Sequence, residues 1–470
     1  MFTPEPWDLE GRDWRELIAR FERALSGNAT AFFEDEALER IIEHYQDADD
    51  LRMALLAVNY ALNINPYNAV FYVRKAETLF EMRHYREAYR CTEIAAIYDP
   101  SEIELYYLRA DIHTARSEFE SAVSALQEAL ERADKVELPN VWAELAQVYE
   151  EAEDFDRVFE CLQESLKLDP RCEDALEKLW FCVDVTERYE ASVNIHKSLI
   201  DRDPYSHRAW YNLGKAYFGM GLYEKAAEAY GFVVAIDERY NAAYRDLGET
   251  WYRLGRFQTA INYLLQAIDL GEGHEELYFR IGQCREKMGE YAGARHHYRK
   301  ATQQDPYYDM AFFRMGCTYL AEEKLEEALR LFRKASQLDP ENSRYKAETG
   351  RLLYQMDDPE AALISYREAL RIRPDYPAHW VQFSRMLFDT GAKTQAVEAA
   401  KEAIKHCGED PMLIYLHGAC LMAAGRRQEG AISLEKAMVL DHDAHPILFE
   451  IFPELEQDPL VNNLIEQFRS

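Results

Sequence analysis

Histidine, cysteine and closely spaced carboxylates are the side chains that most often hold metals or move protons. In this chain they fall at spacings that suit neither task. His296 and His297 are adjacent and leave a helix on different faces, whereas paired ligands need one shared face. The eight cysteines (Cys91, Cys161, Cys172, Cys182, Cys284, Cys317, Cys407, Cys420) include no C-x-x-C pair, which reads as small buried side chains in a reducing compartment. Gly271 and Gly273 flank one glutamate in an inter-helix turn and make a poor phosphate cradle. The acidic clusters Glu34 to Glu36 and Glu150 to Asp156 fall at helix ends and turns, where solvent surrounds them. No H-E-x-x-H, nucleophile elbow or phosphate loop occurs. The expectation is a protein that is not an enzyme and uses neither metal nor cofactor.

The elements that would position any site announce themselves through a period of 34 residues. Ala54, Ala88, Ala122, Ala226, Ala260, Ala294, Ala328, Ala362 and Ala396 share one place. Ala61, Ala95, Ala129, Ala267, Ala301, Ala335, Ala369, Ala403 and Ala437 share a second, and Gly214, Gly248, Gly282, Gly316, Gly350 and Gly418 a third. Small residues in register predict two helices packed closely and stacked on copies of themselves. Asp-Pro, as at Pro100, Pro170, Pro204, Pro306 and Pro340, ends the second helix, because proline lacks an amide proton and disfavours helical geometry in the residue before it.

The frame runs from 35 to 444 in twelve repeats starting at 35, 69, 103, 139, 173, 207, 241, 275, 309, 343, 377 and 411, with a two-residue slip near Val136 to Leu138. Residues 1–34 form an N-terminal capping segment, in which Trp14, Leu17, Ile18, Phe21 and Leu25 make an apolar helical stripe. Residues 445–470 form C-terminal capping helices around Pro453 and Pro459, with a self-docking tail as an alternative role. The repeat from 173 to 206 departs from the pattern. Trp180 holds its glycine place, and Ser192 and Leu199 its alanine places, so it reads as a seam where the helices cannot approach as elsewhere.

Trp210, Leu213, Gly214, Tyr217, Ala226 and Tyr230 follow the pattern of the tetratricopeptide repeat, as do Phe312, Met315, Gly316, Tyr319, Ala328, Phe332, Ala335 and Pro340. The chain resembles that family over 35–444. The resemblance implies an all-α, right-handed α-solenoid whose first helices line a concave groove through the second, fifth, sixth, ninth, twelfth and thirteenth places of each repeat. Its matching residues are packing residues, so it fixes the fold more than the job.

Placed on these positions, the first five repeats contribute Glu36, Glu39, Glu43, Glu77, Glu81, Glu104, Asp111, Glu144, Glu150, Asp174, Glu177 and Asp184. From the sixth repeat the lining turns basic and aromatic. The expected partner-binding residues there are Arg208, Tyr211, Asn212, Lys215, Arg245, Tyr252, Phe279, Arg280, Phe313, Arg314, Arg351, Tyr354 and Arg385, with Phe218, Arg253, Lys287, Arg344 and Phe388 beside them. Arginine among aromatic rings suits an extended peptide bearing carboxylates. Pairing with Asp246, Glu249, Glu286 and Glu348 is the competing use of these cations. The lysine, asparagine and arginine clamp by which some relatives hold a terminal carboxylate has no match, and Asn212 alone holds the place of the asparagine ladder found in others.

Net charge sharpens the contrast. Residues 1–206 carry 22 Lys and Arg against 45 Asp and Glu, so this stretch holds −23 of the total −31. That field argues against nucleic acid and anionic membrane as partners. No apolar run approaches the ~20 residues of a membrane helix, and the acidic start lacks the form of a signal peptide, which places the protein in the cytoplasm. The functional expectation is an interaction scaffold that enfolds an extended or acidic segment in repeats six to eleven, its acidic half steering a second, basic partner. The alternative is a regulatory subunit of an enzyme or transcription factor whose superhelix responds to a ligand bound near Trp180.

Overall fold

A computed structural model describes residues 6–25, 33–271 and 273–468, with side chains from residue 16 onward. The acidic start of the chain, the Trp14 side chain and Glu272 between the two glycines lie outside these residues. Among the described residues all regular structure is helical, with 27 α-helices, one short 3-10 turn and no strand. Packing divides the chain into two compact bodies, 1–243 and 244–470, the division falling within the helix Asn241–Arg253.

Both bodies are built by one rule. All eighteen alanines of the two recurrent places are fully buried, and each recurrent glycine faces a large side chain of the second helix of its own repeat. A Cβ at Gly214 would lie 2.5 Å from the Tyr230 ring, and one at Gly282 equally near Tyr298. The missing methyl lets the ring settle on the first helix, which is how the two backbones come close. Where glycine is absent the pair compensates in volume, as with Ala146 opposite Leu162 and Ser384 opposite Ala400.

Turns within repeats place one residue in the left-handed region. It is glycine at Gly221, Gly255 and Gly289 (φ 70–77°), but Arg83, Glu187 and Glu323 elsewhere. Between repeats, an aromatic residue of the first helix ties down the proline turn. Trp210 and Trp380 donate their indole N–H to the carbonyls of Pro204 and Pro374 (2.9 and 2.7 Å), and the Tyr106 hydroxyl does the same for Pro100.

In the N-terminal body the helix Pro6–Leu25 brings Phe21, fully buried, against Tyr60 at 5.6 Å and Phe33 at 6.0 Å, with Leu17, Ile18 and Leu25 on the same core. In the C-terminal body Pro446–Ile451 and Pro459–Gln467, with Phe452 between them, bury Leu448, Phe452, Val461 and Leu464 in the core of the last repeats. Asp458, nearly buried, receives both contacts of the Arg427 guanidinium (2.8 and 2.7 Å) and fixes the last helix.

The seam repeat breaks the packing rule. Trp180 and His196 hold the places that Gly214 and Tyr230 hold one repeat later, so two large side chains fall where one should be small. The helices Glu173–Thr186 and Tyr189–Arg202 consequently make little contact with each other and pack instead on their outer neighbours. His196 is fully buried with both ring nitrogens unpartnered, as is the Ser192 hydroxyl.

Candidate functional site

The lining of the N-terminal body begins with carboxylates crowded around one cation. Arg74 bridges Glu43 at 2.8 Å and Glu77 at 3.2 Å beside a cavity of ≈ 540 Å³ that Glu81, Asp111, Phe80 and Leu108 also line. Loss of hydration raises the Glu77 and Glu81 carboxyls above their ordinary range. The same loss, reinforced by Glu144 and Glu151, pushes Asp111 up to about 6.

At the seam the chemistry changes. Half-buried Trp180 forms one wall of a cavity of ≈ 410 Å³ with Leu176, Glu177, Arg208, Tyr211, Asn212, Lys215 and Tyr240. The structure thus brings together four of the expected partner-binding residues. The Lys215 ammonium stands 4.2 Å over the Trp180 ring and 5.2 Å over Tyr211. Arg208 contacts Glu173 at 2.9 Å, and buried Asn212 donates to the Leu176 carbonyl at 2.8 Å, which locks the floor. On the same helix as Trp180, Phe181 and Val185 are 53% and 49% exposed, and the Phe155 ring meets Phe181 edge-on at 6.0 Å.

In the C-terminal body the basic lining is laced with acid. Arg280 contacts Glu249 at 2.7 Å and Gln283 at 2.8 Å, and its guanidinium lies 4.8 Å from the Tyr252 ring centre. Arg245 contacts Asp246 (3.1 Å), Arg314 contacts Glu286 (3.4 Å) and Arg351 contacts Glu348 (2.7 Å). All four carboxylates named as competitors in the sequence are therefore engaged. Tyr354 donates to Asp389 at 3.0 Å. Arg385 donates to the Glu450 carbonyl at 3.1 Å, and the Phe388 ring packs on Phe452, so the C-terminal segment covers this end of the lining. Phe279 and Phe313 are 6% and 3% exposed and belong to the core, Phe279 tilted against Tyr298 and Phe313 stacked on Phe332.

Sequence reasoning missed Tyr240, Phe181 and Val185 as surface features. Tyr240 sits in a turn ahead of its helix, outside the lining places, whereas Phe181 and Val185 hold the ninth and thirteenth places and were legible as apolar exceptions in a charged row. Among the described residues no group of three or more His, Cys, Asp and Glu stands close enough to hold a metal ion, and no helix is long and apolar enough to cross a membrane. Burial pushes the Cys161 and Cys284 thiols up to about 12, and all eight cysteines are free.

Helix pairs of this length, closed on buried alanine and glycine and stacked in register, define a repeat protein of the helix-turn-helix class. Tetratricopeptide repeat models match residues 73–137, 139–172, 186–237, 211–275, 275–308 and 313–377, together more than half of the chain, which belongs to that family. Similar solved structures include MamA (26% identity, covering 35% of this chain and 95% of that one, TM-score 0.33). The APC/C hetero-tetramer Cut9-Hcn1 is 14% identical over 83% of this chain and 97% of that one, with a TM-score of 0.37. Yeast Tom70 is 14% identical over 92% and 98%, with a TM-score of 0.39. No curated protein matches the chain.

Proposed function

We propose that the chain is a non-catalytic, cytoplasmic interaction scaffold whose partner lays a carboxylate-bearing extended segment on the first-helix lining of repeats six to eleven. Membership of the tetratricopeptide repeat family supports the scaffold role in general. One observation carries the finer reading. In the Trp180 cavity Lys215 and Arg208 stand among three aromatic rings, a setting that fits an acidic side chain with an apolar neighbour.

The ion pairs already present do not close the site. An exposed pair such as Arg208 with Glu173 contributes about 0–1 kcal/mol. Exchanging so weak a pair for a guest carboxylate costs little, and the aromatic rings beside the cation add apolar burial that the resident carboxylate does not have. The arginines at 245, 280 and 314 offer the same exchange along the C-terminal body.

Panning a random peptide library on the full-length chain should enrich sequences that place Asp or Glu beside aromatic or aliphatic residues. Arg208→Glu with Lys215→Glu should weaken the selected acidic peptide at least about tenfold. Charge reversal at Arg245, Arg280 and Arg314 together should also weaken it, with helical circular dichroism unchanged. The reading fails if no acidic sequence is enriched or if neither variant alters binding.

A second reading draws on the same cavity lying beside a loosely paired repeat. A small carboxylate ligand seated on Lys215 would bias that repeat and make the chain a ligand-responsive regulatory subunit. Screening dicarboxylates by thermal shift decides it: a ligand that raises the melting temperature of the wild type and not of Lys215→Glu supports this reading, and a screen with no such ligand removes it.

A further inference from the structure

The seam repeat carries a second surface that the acidic-segment reading leaves unused. Along the lining of the N-terminal body the ninth place holds Glu43, Glu77 and Asp111 in the first three repeats, but Phe181 here. Val185, one turn further on the same helix face, is apolar as well, and both side chains are about half exposed. Phe155 extends the patch, its ring edge-on to Phe181. An exposed phenylalanine backed by the half-buried Phe155 ring, with an adjoining valine, is the kind of apolar surface that a partner covers.

Its rim says which partner. Phe155 lies inside the run Glu150 to Asp156, which holds five carboxylates in seven residues. Lys178, Arg157 and Arg188 approach Glu150, Asp154 and Asp156 at 4.0, 3.5 and 2.6 Å. Glu151, Glu153 and Asp184, the last three residues beyond Phe181 and 3.5 Å from the Tyr189 hydroxyl, stand exposed with no cation against them among the described residues.

We propose that Phe155, Phe181 and Val185 form a docking surface for a basic amphipathic segment of a protein partner, whose apolar anchor covers the rings while its lysines or arginines meet Glu151, Glu153 and Asp184. The acidic rim selects this occupant over the others an apolar patch attracts. Anionic lipid headgroups are repelled by it, and a second copy meeting the patch symmetrically would set like charges against each other. Phe155, Phe181 and Val185 do not line the Trp180 cavity, so this inference and the acidic-segment reading are tested by different side chains.

The test uses the full-length chain and a fluorescent amphipathic peptide of leucine and lysine, with two counterparts in which the leucines become serines or the lysines glutamates. The leucine–lysine peptide should bind, and both counterparts should bind at least about tenfold more weakly. Phe181→Ser with Val185→Ser should cost about tenfold or more, Phe181→Leu should retain affinity, and Glu151→Lys with Glu153→Lys should weaken binding and flatten its salt dependence. Lys215→Glu should not weaken it. Both apolar positions are exposed, so the variants should melt as the wild type does, and Val185→Ser alone serves if the pair does not. The proposal is overturned if the serine-for-leucine peptide binds as tightly as its parent or if the Phe181 and Val185 variants bind normally. It is equally overturned if the patch proves to mediate self-association that Phe181→Ser abolishes.

Discussion

A methyl group added at Gly282 would put its carbon 2.5 Å from the Tyr298 ring, a ring that is itself fully buried and donates to Glu286. The ring has nowhere to go, so Gly282→Ala should cost ~1–3 kcal/mol by overpacking, read as a lowered melting temperature. His196 poses the reverse problem, a polar ring with nothing to bond. Burial alone lowers its pKa to about 3 from an ordinary 6.5, so the folded chain keeps it neutral while the unfolded chain takes up a proton. Above pH 6.5 the two states do not differ, and below it stability is lost progressively as pH falls toward 3. Between pH 7.5 and 5 the wild type should therefore lose more melting temperature than His196→Leu, and equal losses would assign the effect elsewhere. Leucine is the natural probe, since Leu162 holds this place in the preceding repeat.

At the scale of the element, the pair Trp180 and His196 explains why Glu173–Thr186 and Tyr189–Arg202 stand apart. Trp180→Ala with His196→Leu copies the Ala146 and Leu162 pair and should draw the two helices together. The measurement is hydrogen exchange: amides of Tyr189–Arg202 should gain protection, and the cavity around Lys215 should lose its indole wall and its acidic ligand. The helices, the buried alanine places and the seam were legible in the sequence because each follows from side-chain size at fixed spacing. The lining was only partly so. Phe279 and Phe313 hold the fifth place, which in these repeats turns a large residue into the core between stacked helices. That outcome depends on packing between repeats, which a single repeat's pattern does not contain. The arginine pairs were anticipated as competitors, but which carboxylate each takes is set across repeats, as with Arg280 and Glu249, and no periodicity encodes it.

For the whole molecule the dominant quantity is charge. With −31 overall and most of it before residue 207, the acidic lining repels itself, and the Asp111 carboxyl, raised first by burial and then further by Glu144 and Glu151, is one local expression of this. Its sign opposes that of His196. A carboxyl whose folded pKa lies near 6 and whose ordinary value is 3.8 destabilises the fold when ionised, fully above pH 6, and the penalty fades as pH falls toward 4. Asp111→Asn should thus raise the melting temperature at pH 7.5, with the gain shrinking through that window. Salt should raise the melting temperature of the wild type more than that of the variant, because screening relieves the same repulsion.

The loosely paired helices at residues 173–202 also have a mechanical meaning. Tyr189 lies with its ring over Gly219 of the following repeat, and Cys182 bonds back to Phe155 in the preceding one, so each helix belongs to a different block. Stretched in an optical trap, this stretch of chain should part there first, the two blocks staying intact and tethered by Glu187 and Arg188, which would make the repeat a fuse that yields before its neighbours unravel.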